Sequence, residues 1–320
     1  MIVKVYHGYG HMHDLIIFGH VFKSAPSMPA KFTNNMLGNI FHLLRLFFVQ
    51  PLPGIKVRLQ WNNQVFESIT ETDGFFKFEW KSNTTIEAGW HQVTVAALDK
   101  TDNIICSGDG KIFVPHSTQY AIISDIDDTV LVSYSATFFK RLRVLFSKNP
   151  HTRKTFEDVV THYRLLAGAN TTDAVPNPFF YVSSSEWNLY DYLNEFFKHN
   201  HLPKGAFLLN QVKQWYQLIK TGKTKHEGKF IRVVRIMATF PKQQFILLGD
   251  NSQKDPDIYA SVARKMPGKV FAIYIRNVNS KKESSTIQLL AALEQLGIHT
   301  CMYTNSDDAI AHSKKTGLIA

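Results

Sequence analysis

The stretch that most constrains the fold is residues 120–129, in which an apolar run ends abruptly in carboxylates. The run Tyr-Ala-Ile-Ile has no alternating polar positions, a pattern that predicts a strand buried on both faces of a parallel sheet. Asp125, Asp127, Asp128 and Thr129 follow where that strand would emerge, and ligands bind at the strand ends of open α/β sheets. Three carboxylates this close repel one another unless a cation or a shared proton relieves them. The spacing therefore predicts an α/β domain with chemistry at this strand end.

The length of 320 residues predicts two domains, at residues 1–116 and 117–320. With 44% hydrophobic and 13% aromatic residues, both can bury a core. Cys106 and Cys301 lie far apart in the sequence, which argues against a disulfide scaffold and favours a reducing compartment. We find neither a secretory signal nor a run approaching the ~18 apolar residues of a membrane-spanning helix. We therefore expect a cytoplasmic protein.

The positive charge is concentrated in the second segment. Residues 1–116 hold 10 lysines and arginines against 9 acidic residues, whereas residues 117–320 hold 26 against 17. A field of this sign favours anionic partners such as phosphate esters, acidic lipid surfaces or nucleic acid. Ordinary solvated charge accounts for most individual lysines.

The first segment shows the alternation of half-buried β-strands. Apolar residues at 55, 57, 59 and 61 alternate with polar ones, Asn62 and Asn63 supply a turn, and a return strand follows, which predicts a hairpin. Turn residues at short intervals separate further apolar runs, which is typical of a β-sandwich. The predicted strands cover residues 15–22, 55–61, 65–69, 75–80 and 91–97.

Residues 36–49 interrupt this β pattern. Ile40, Leu43, Leu44, Phe47 and Phe48 recur at helical spacing, and the stretch has Arg45 as its only formal charge. We predict a helix that packs on the sandwich, with a membrane anchor as the alternative.

From residue 117 onward, apolar strands alternate with helices. Phe179–Val182 ends in three serines before a helical stretch at 186–199, and residues 244–248 end in Gly249 and Asp250. A strand at 270–275, helices at 231–240 and 286–296 and a late strand at 298–300 continue the alternation. The predicted fold is therefore α/β, a doubly wound parallel sheet preceded by a smaller all-β sandwich domain.

The predicted strand ends can be assembled into a phosphoryl-transfer site. The Asp125 carboxylate could attack phosphorus, because acidic side chains form covalent intermediates of this kind. Asp127 could protonate the leaving alkoxide and later activate water. A divalent metal would join Asp125 to Asp250, and Mg²⁺ suits such oxygen ligands. Ser183 and a lysine would hold the non-bridging phosphate oxygens.

These residues resemble the four motifs of the haloacid dehalogenase superfamily. The motifs occur in the expected order at 125–129, at Ser183, at Lys229 and at 249–255. More narrowly, residues 117–320 resemble the catalytic domain of the actin-patch phosphatidate phosphatase family. The stretches that carry this resemblance are Tyr-Val-Ser-Ser-Ser at 181–185, Trp-Asn-Leu-Tyr at 187–190, Phe-Ile-Leu-Leu-Gly-Asp at 245–250, Gln-Lys-Asp-Pro at 253–256 and Ile-Tyr-Ile-Arg at 273–276.

The resemblance implies a role for each matching residue. Asp125 would be nucleophile and metal ligand, and Asp127 would be general acid and base with its backbone carbonyl on Mg²⁺. Asp250 would complete the metal site, and Asp255 would orient the metal ligands without binding the metal itself. The implied phosphate-binding residues are Thr129, Ser183 and Lys229, with Lys225 as a rival to Lys229. Asp128 is expected to be a capping or turn residue.

Two positions depart from the family pattern. Asn251 and Ser252 replace an expected Ser-Gly, and Asn210 and Gln211 replace an expected Arg-Asp. Both departures concern the substrate pocket, since neither removes a core catalytic group.

Residues 137–148 predict a basic amphipathic helix. Its apolar residues gather on one arc, while Lys140, Arg141, Arg143 and Lys148 occupy the other. We hypothesise that it docks on an anionic membrane and presents lipid phosphate to Asp125. The alternative is a cap helix that packs its apolar face on the domain.

The predicted function is Mg²⁺-dependent hydrolysis of a phosphomonoester, with phosphatidate or a related lipid phosphate as the favoured substrate. One alternative is a phosphatase for a soluble sugar, nucleotide or nucleic-acid-end phosphate, which the basic charge would equally suit. The other is a membrane- or partner-binding protein with little turnover. Nucleic acid is the less favoured partner, and peripheral contact with the inner membrane face would depend on residues 137–148.

Overall fold

The computed structural model describes residues 1–24, 46–116, 118, 120–126, 159–171, 175–211 and 225–320, the last range with backbone alone at 225–227. The predicted helix at 137–148 and most of the one at 36–49 lie outside these ranges. Residues 46–49 are described and are not helical, so that end of the prediction is wrong. Leu46, Phe47 and Val49 are buried against neighbouring side chains, which explains the apolar pattern without a helix.

The N-terminal part of the chain is all β, as predicted. Its eight strands form one hydrogen-bonded sheet in the order β1-β3-β2-β8-β7-β4-β5, with β6 paired to β3. The predicted hairpin is present, and Asn62 adopts the left-handed conformation (φ 50°) in its turn. The strands are β1 Ile2–Val5, β2 Gly8–His11, β3 Asp14–Phe22, β4 Lys56–Trp61, β5 Gln64–Ile69, β6 Phe75–Trp80, β7 Gly89–Leu98 and β8 Ile104–Val114.

A parallel sheet of six strands follows. Its order is β11-β10-β9-β12-β13-β14, and all neighbours are parallel. The strands are β9 Tyr120–Ser124, β10 Phe179–Glu186, β11 Gly205–Asn210, β12 Gln244–Asp250, β13 Val270–Arg276 and β14 His299–Tyr303. The described helices are α1 Val159–Ala167, α2 Tyr190–His199, α3 Lys225–Thr239, α4 Asp255–Lys265, α5 Glu283–Glu294 and α6 Ser306–Lys315.

Strand β9 lies where the strand order reverses direction, between β10 and β12. Because all three strands are parallel, their carboxyl ends meet at one edge of the sheet. Ser124 pairs with Leu248 on one side and with Tyr181 on the other. The residues that follow these pairs are therefore brought to one place, which is the position where open α/β sheets bind ligands.

The helix predicted at 186–199 begins later than expected. Strand β10 continues through Ser183 to Glu186, which pairs with Asn210 after a register shift, and a 3₁₀ turn at Trp187–Leu189 leads into α2. Val182 and Glu186 pair with β11 on either side of the three serines, which continue the strand although their composition is typical of a helix cap. Helix α3, by contrast, starts before the predicted residue 231 and carries Lys229 in its second turn.

One hydrophobic core spans the two sheets, and the first sheet has a second core of its own. The ring of Tyr6 stacks on Trp187 with 4.2 Å between centroids, and Tyr9 meets Phe180 edge-on. At the rim of this contact, Arg235 of α3 donates to both carboxylate oxygens of Asp14 at 2.6 and 2.7 Å. The division at residues 1–116 and 117–320 stays a prediction, and each sheet lies on its own side of it. Within the part of the chain described above, no helix is both long and apolar enough to cross a membrane.

Candidate active site

Asp125 is fixed at the carboxyl end of the central strand. It directly follows β9, its side chain is fully buried, and its backbone N–H donates to the carbonyl of Leu248 at 2.8 Å. This bond continues the pairing between β9 and β12. The unbroken apolar sequence of β9 thus places a carboxylate inside the sheet edge, where its position is set by backbone hydrogen bonds.

Two further carboxylates lie against Asp125. Asp250 ends β12, and Asp255 opens α4. Gly249 lets α4 approach the strand, because a Cβ at this position would lie 2.8 Å from Oδ2 of Asp255. One carboxylate oxygen from each of Asp125, Asp250 and Asp255 lies within 4.8 Å of the others, and all three residues are buried. Asp255 was expected to orient the metal ligands without binding the metal. It is instead a direct member of this acidic cluster.

Lys229 extends from α3 into the acidic cluster. Its Nζ donates to Oδ1 of Asp125 at 2.7 Å and to Oδ1 of Asp255 at 2.5 Å, and the residue is 3% exposed. Burial alone would lower the pKa of Lys229, but the two carboxylates outweigh it and hold the pKa above its usual value. Lys229 is therefore a permanent cation beside Asp125. The side chain of its rival, Lys225, lies outside the described part of the chain.

The acidic cluster has the chemistry of a divalent-cation site. Three buried carboxylates lie together, and like charges this close repel one another unless a cation lies between them. Oδ2 of Asp255 is buried and has no hydrogen-bond partner among the residues described. An all-oxygen set of this kind is what Mg²⁺ prefers. The residues present therefore fit a divalent cation.

Ser183 lies on β10, the strand next to Asp125. It is fully buried, and its Oγ accepts a hydrogen bond from the backbone N–H of Ser185 at 2.9 Å. The structure thus brings five predicted site residues to the same edge of the parallel sheet, namely Asp125, Ser183, Lys229, Asp250 and Asp255. Asp127, Asp128 and Thr129 lie outside the described residues.

A second cation at this edge, half-buried, was not predicted from the sequence. Arg232 lies one turn after Lys229 on α3 and donates to the carbonyl of Ser183 at 3.3 Å and to Oδ1 of Asn210 at 2.9 Å. Its Nε is buried without a hydrogen-bond partner in the described structure, and no described carboxylate pairs with it. Burial lowers the pKa of Arg232 to about 10. The sequence could have indicated Arg232, because a residue three positions after Lys229 lies on the same face of a helix.

The two departures from the family pattern have structural explanations. Asn210 accepts from Arg232 and donates to the carbonyl of Ser184 at 3.0 Å, so it links β10, β11 and α3. Asn251 is fully buried, and its side chain bonds to Asn277 and Asn279 and to the N–H of Val278. Asn210 therefore ties two strands to α3, and Asn251 fixes the loop at 277–279.

The part of the chain that carries the site is similar to known proteins. Residues 120–277 match the family model described as "Phosphatidate phosphatase APP1, catalytic domain", which confirms the resemblance predicted from the motifs. The chain is 29% identical over 157 residues to "Phosphatidate phosphatase APP1" of Saccharomyces cerevisiae and 26% identical over 162 residues to an uncharacterised protein of Schizosaccharomyces pombe.

These matches cover 48% and 50% of this chain and 25% of either yeast protein, so the chain matches about a quarter of the length of each relative. Among solved structures, fibronectin(III)-like modules of Clostridium thermocellum CbhA match 35% of this chain and 95% of their own, with 17% identity and a TM-score of 0.19. That score is too low to bear on the fold.

Proposed function

We propose, from the premise that residues 120–277 resemble a phosphatidate phosphatase catalytic domain, that this protein hydrolyses a phosphomonoester with the help of a divalent cation. The observation that carries the proposal is the buried cluster of Asp125, Asp250 and Asp255 around Lys229. It lies at the strand-order reversal of a parallel sheet, and the strand order supports a doubly wound, haloacid dehalogenase-like fold.

Asp125 is the proposed nucleophile. Its carboxylate oxygen would bond to phosphorus while the bond from phosphorus to the ester oxygen breaks, giving an aspartyl phosphate and an alkoxide. Lys229 contributes in two ways. Its charge favours the ionised, nucleophilic form of Asp125, and its Nζ is placed to hold a phosphoryl oxygen once substrate enters.

Asp127 is the proposed general acid and base. It would give its proton to the leaving alkoxide and then, as a carboxylate, take a proton from the water that attacks the aspartyl phosphate. That attack releases inorganic phosphate and restores the carboxylate of Asp125. Ser183 and Thr129 are proposed to bind the phosphate oxygens, as the motif resemblance implies.

Asp125, Asp250 and Asp255 would hold the cation, together with the carbonyl of Asp127. When bound, Mg²⁺ would neutralise charge on the phosphoryl group and so let an anionic substrate approach a carboxylate. Mg²⁺ is our preferred identity because every donor in the acidic cluster is a carboxylate oxygen.

Phosphatidate or a related lipid phosphate is the proposed substrate. The name of the S. cerevisiae relative supports this choice, as does the positive charge of residues 117–320. We further propose a cytoplasmic protein whose residues 137–148 contact the anionic inner face of the membrane.

The decisive experiment measures phosphate release by the full chain from phosphatidate in mixed micelles and from soluble sugar and nucleotide monoesters. We expect release in Mg²⁺, none in EDTA, and a loss of roughly 10³-fold or more for Asp125→Asn. Asp257→Asn, on an exposed position of α4, is the matched control and should retain wild-type activity.

Other results would contradict parts of the proposal. Faster release from a soluble monoester than from phosphatidate would reject the lipid substrate but keep the reaction. Equal activity of Asp125→Asn and wild type would reject the nucleophile. Tight binding to anionic vesicles without any phosphate release would favour a binding protein instead.

A further inference from the structure

A basic cavity lies at the opposite end of the parallel sheet from the acidic cluster. Gly205, at the start of β11, lines it and pairs with Phe179, whereas Ser183 lies four residues further along β10. At 3.3 Å per residue the cavity and the acidic cluster are therefore separated by roughly 13 Å of strand. The cavity has a volume of about 800 Å³, within the range of small-molecule sites.

The two sheets contribute jointly to the lining. Lys111 comes from β8 and His7 from the turn after β1, both in the first sheet. Arg164 of α1, Lys198 of α2 and Lys204 before β11 come from the second part of the chain. This junction cavity exists only because the sheets are packed together.

The charges in the junction cavity are uncompensated. Its described lining includes four cationic residues and two histidines, and none of these described lining residues is a carboxylate. Within the described structure no acidic residue forms an ion pair with these four cations. Burial and then the charge of Lys111 lower the pKa of Lys204, so the two ammonium groups repel each other. An anion in the cavity would relieve this repulsion.

Two of the basic side chains are held in place by an aromatic ring. Nζ of Lys204 lies 3.9 Å from the centre of the Trp90 ring, and the ring of His7 packs against the same indole with 4.8 Å between centroids. Nδ1 of His7 also lies 3.3 Å from the carbonyl of Gly205. The cavity wall is thus organised without a ligand, which reduces the entropy lost on binding.

We propose that the junction cavity binds a compact polyanion, namely a small molecule that carries several linked phosphate groups. Four cations distributed around a concave space match a multiply charged ligand better than a single carboxylate. A flat membrane surface could not contact them all at once. The site is independent of phosphate-ester hydrolysis, because the acidic cluster lies at the other end of the strands.

Isothermal titration of the full chain with tripolyphosphate, after divalent cations have been removed on a chelating resin, tests this proposal. We expect saturable binding that weakens as KCl is raised, and a loss of about tenfold or more in affinity for Lys111→Gln/Lys204→Gln. Lys100→Gln/Lys242→Gln, on exposed positions outside the cavity, removes the same charge and should bind like wild type. Arg164→Gln provides a second test on a different element if the double variant unfolds.

Three outcomes would overturn the proposal. Wild-type protein that gives no saturable heat has no such site. Equal weakening in the cavity and control variants would indicate a general charge effect. Unchanged affinity in both Lys111→Gln/Lys204→Gln and Arg164→Gln would locate the bound tripolyphosphate elsewhere, the acidic cluster included.

Discussion

Nζ of Lys229 lies 2.7 Å from Oδ1 of Asp125, and both groups are almost completely buried. The lysine expected to bind phosphate thus forms an ion pair with the expected nucleophile. A substrate phosphate that reaches Asp125 must share this ammonium group or partly displace it. The same lysine bridges to Asp255, so a single cation connects the strand end with the first residue of α4.

Removing this cation should destabilise the protein. Lys229→Met leaves the buried carboxylates of Asp125 and Asp255 without their common partner, which costs about 3–5 kcal/mol in the free energy of unfolding. Urea denaturation at pH 7 without divalent cations measures this loss. Asp125→Asn/Lys229→Met should lose less than the sum of the single changes, because the two residues interact directly. Strict additivity would contradict the ion pair.

Divalent cation should stabilise the folded protein through the acidic cluster. A ligand that binds only the native state stabilises it by about 2.7 kcal/mol at a concentration 100 times its Kd. We therefore expect Mg²⁺ to raise the thermal midpoint of wild type and of the Asp257→Asn control, but not that of Asp250→Asn or Asp255→Asn. If Mg²⁺ still raises the thermal midpoint of both Asp250→Asn and Asp255→Asn, the acidic cluster is not the cation site.

Arg232 is expected to contribute to the binding of an anionic substrate. Its guanidinium bonds to the Ser183 carbonyl and to Asn210 but to no described carboxylate, so it retains its charge for a further partner. Arg232→Gln should raise KM by about tenfold and change kcat less, as expected for a contact made with bound substrate throughout the reaction. Arg264→Gln, on an exposed position of α4, is the control. If the KM of Arg232→Gln equals that of wild type, Arg232 has only a structural role.

Asn251 should be more stabilising here than the serine that was expected at this position. Its amide makes four hydrogen bonds with the loop at 277–279, and a serine hydroxyl cannot reproduce them. Asn251→Ser should lower the free energy of unfolding by about 1–3 kcal/mol. Chemical denaturation measures this value, and a neutral result would show that the loop rearranges without loss.

Acid should destabilise the protein through His162. Burial lowers the pKa of this histidine to about 4, and its Nε2 lies 3.0 Å from Oγ of Ser313. The unfolded chain binds a proton at a pKa near 6.5, so stability is fully present above that pH and falls toward pH 4 by up to about 3 kcal/mol. His162→Gln should flatten this fall, whereas His13→Gln, on an exposed position, should leave it unchanged.

Local patterns predicted much of the fold, because hydrophobic alternation records which face of a strand is buried. The hairpin of β4 and β5 and the buried strands β9, β12 and β13 were found in this way. Strand β8 was missed because Ser-Gly-Asp-Gly at 107–110 has the composition of a turn. The glycines are needed there, since a Cβ on Gly108 would lie 2.0 Å from the carbonyl oxygen of Val3. Such close approaches depend on tertiary packing.

The same limit applies to the candidate site. Motif spacing identified Asp125, Ser183, Lys229 and Asp250, all of which end strands or extend from a helix toward one sheet edge. It did not indicate that Asp255 joins the acidic cluster, because that depends on how closely α4 approaches Gly249. Arg232 was also missed, since its importance follows from partners on two strands that are distant from it in the sequence. The proposed roles of Asp127 and Thr129 stay predictions.

The stacking of Tyr6 on Trp187 has a practical consequence for anyone who wishes to express the catalytic part alone. A fragment cut to the matched family region would keep Trp187 and Phe180 but lose the aromatic residues that cover them. The apolar surface exposed in this way would favour self-association. The fragment would therefore be expected to aggregate even with every catalytic side chain intact. If truncation abolished activity, the cause would then be poor solubility and not the loss of a catalytic group. The first sheet should therefore be retained in any preparation used for enzymology.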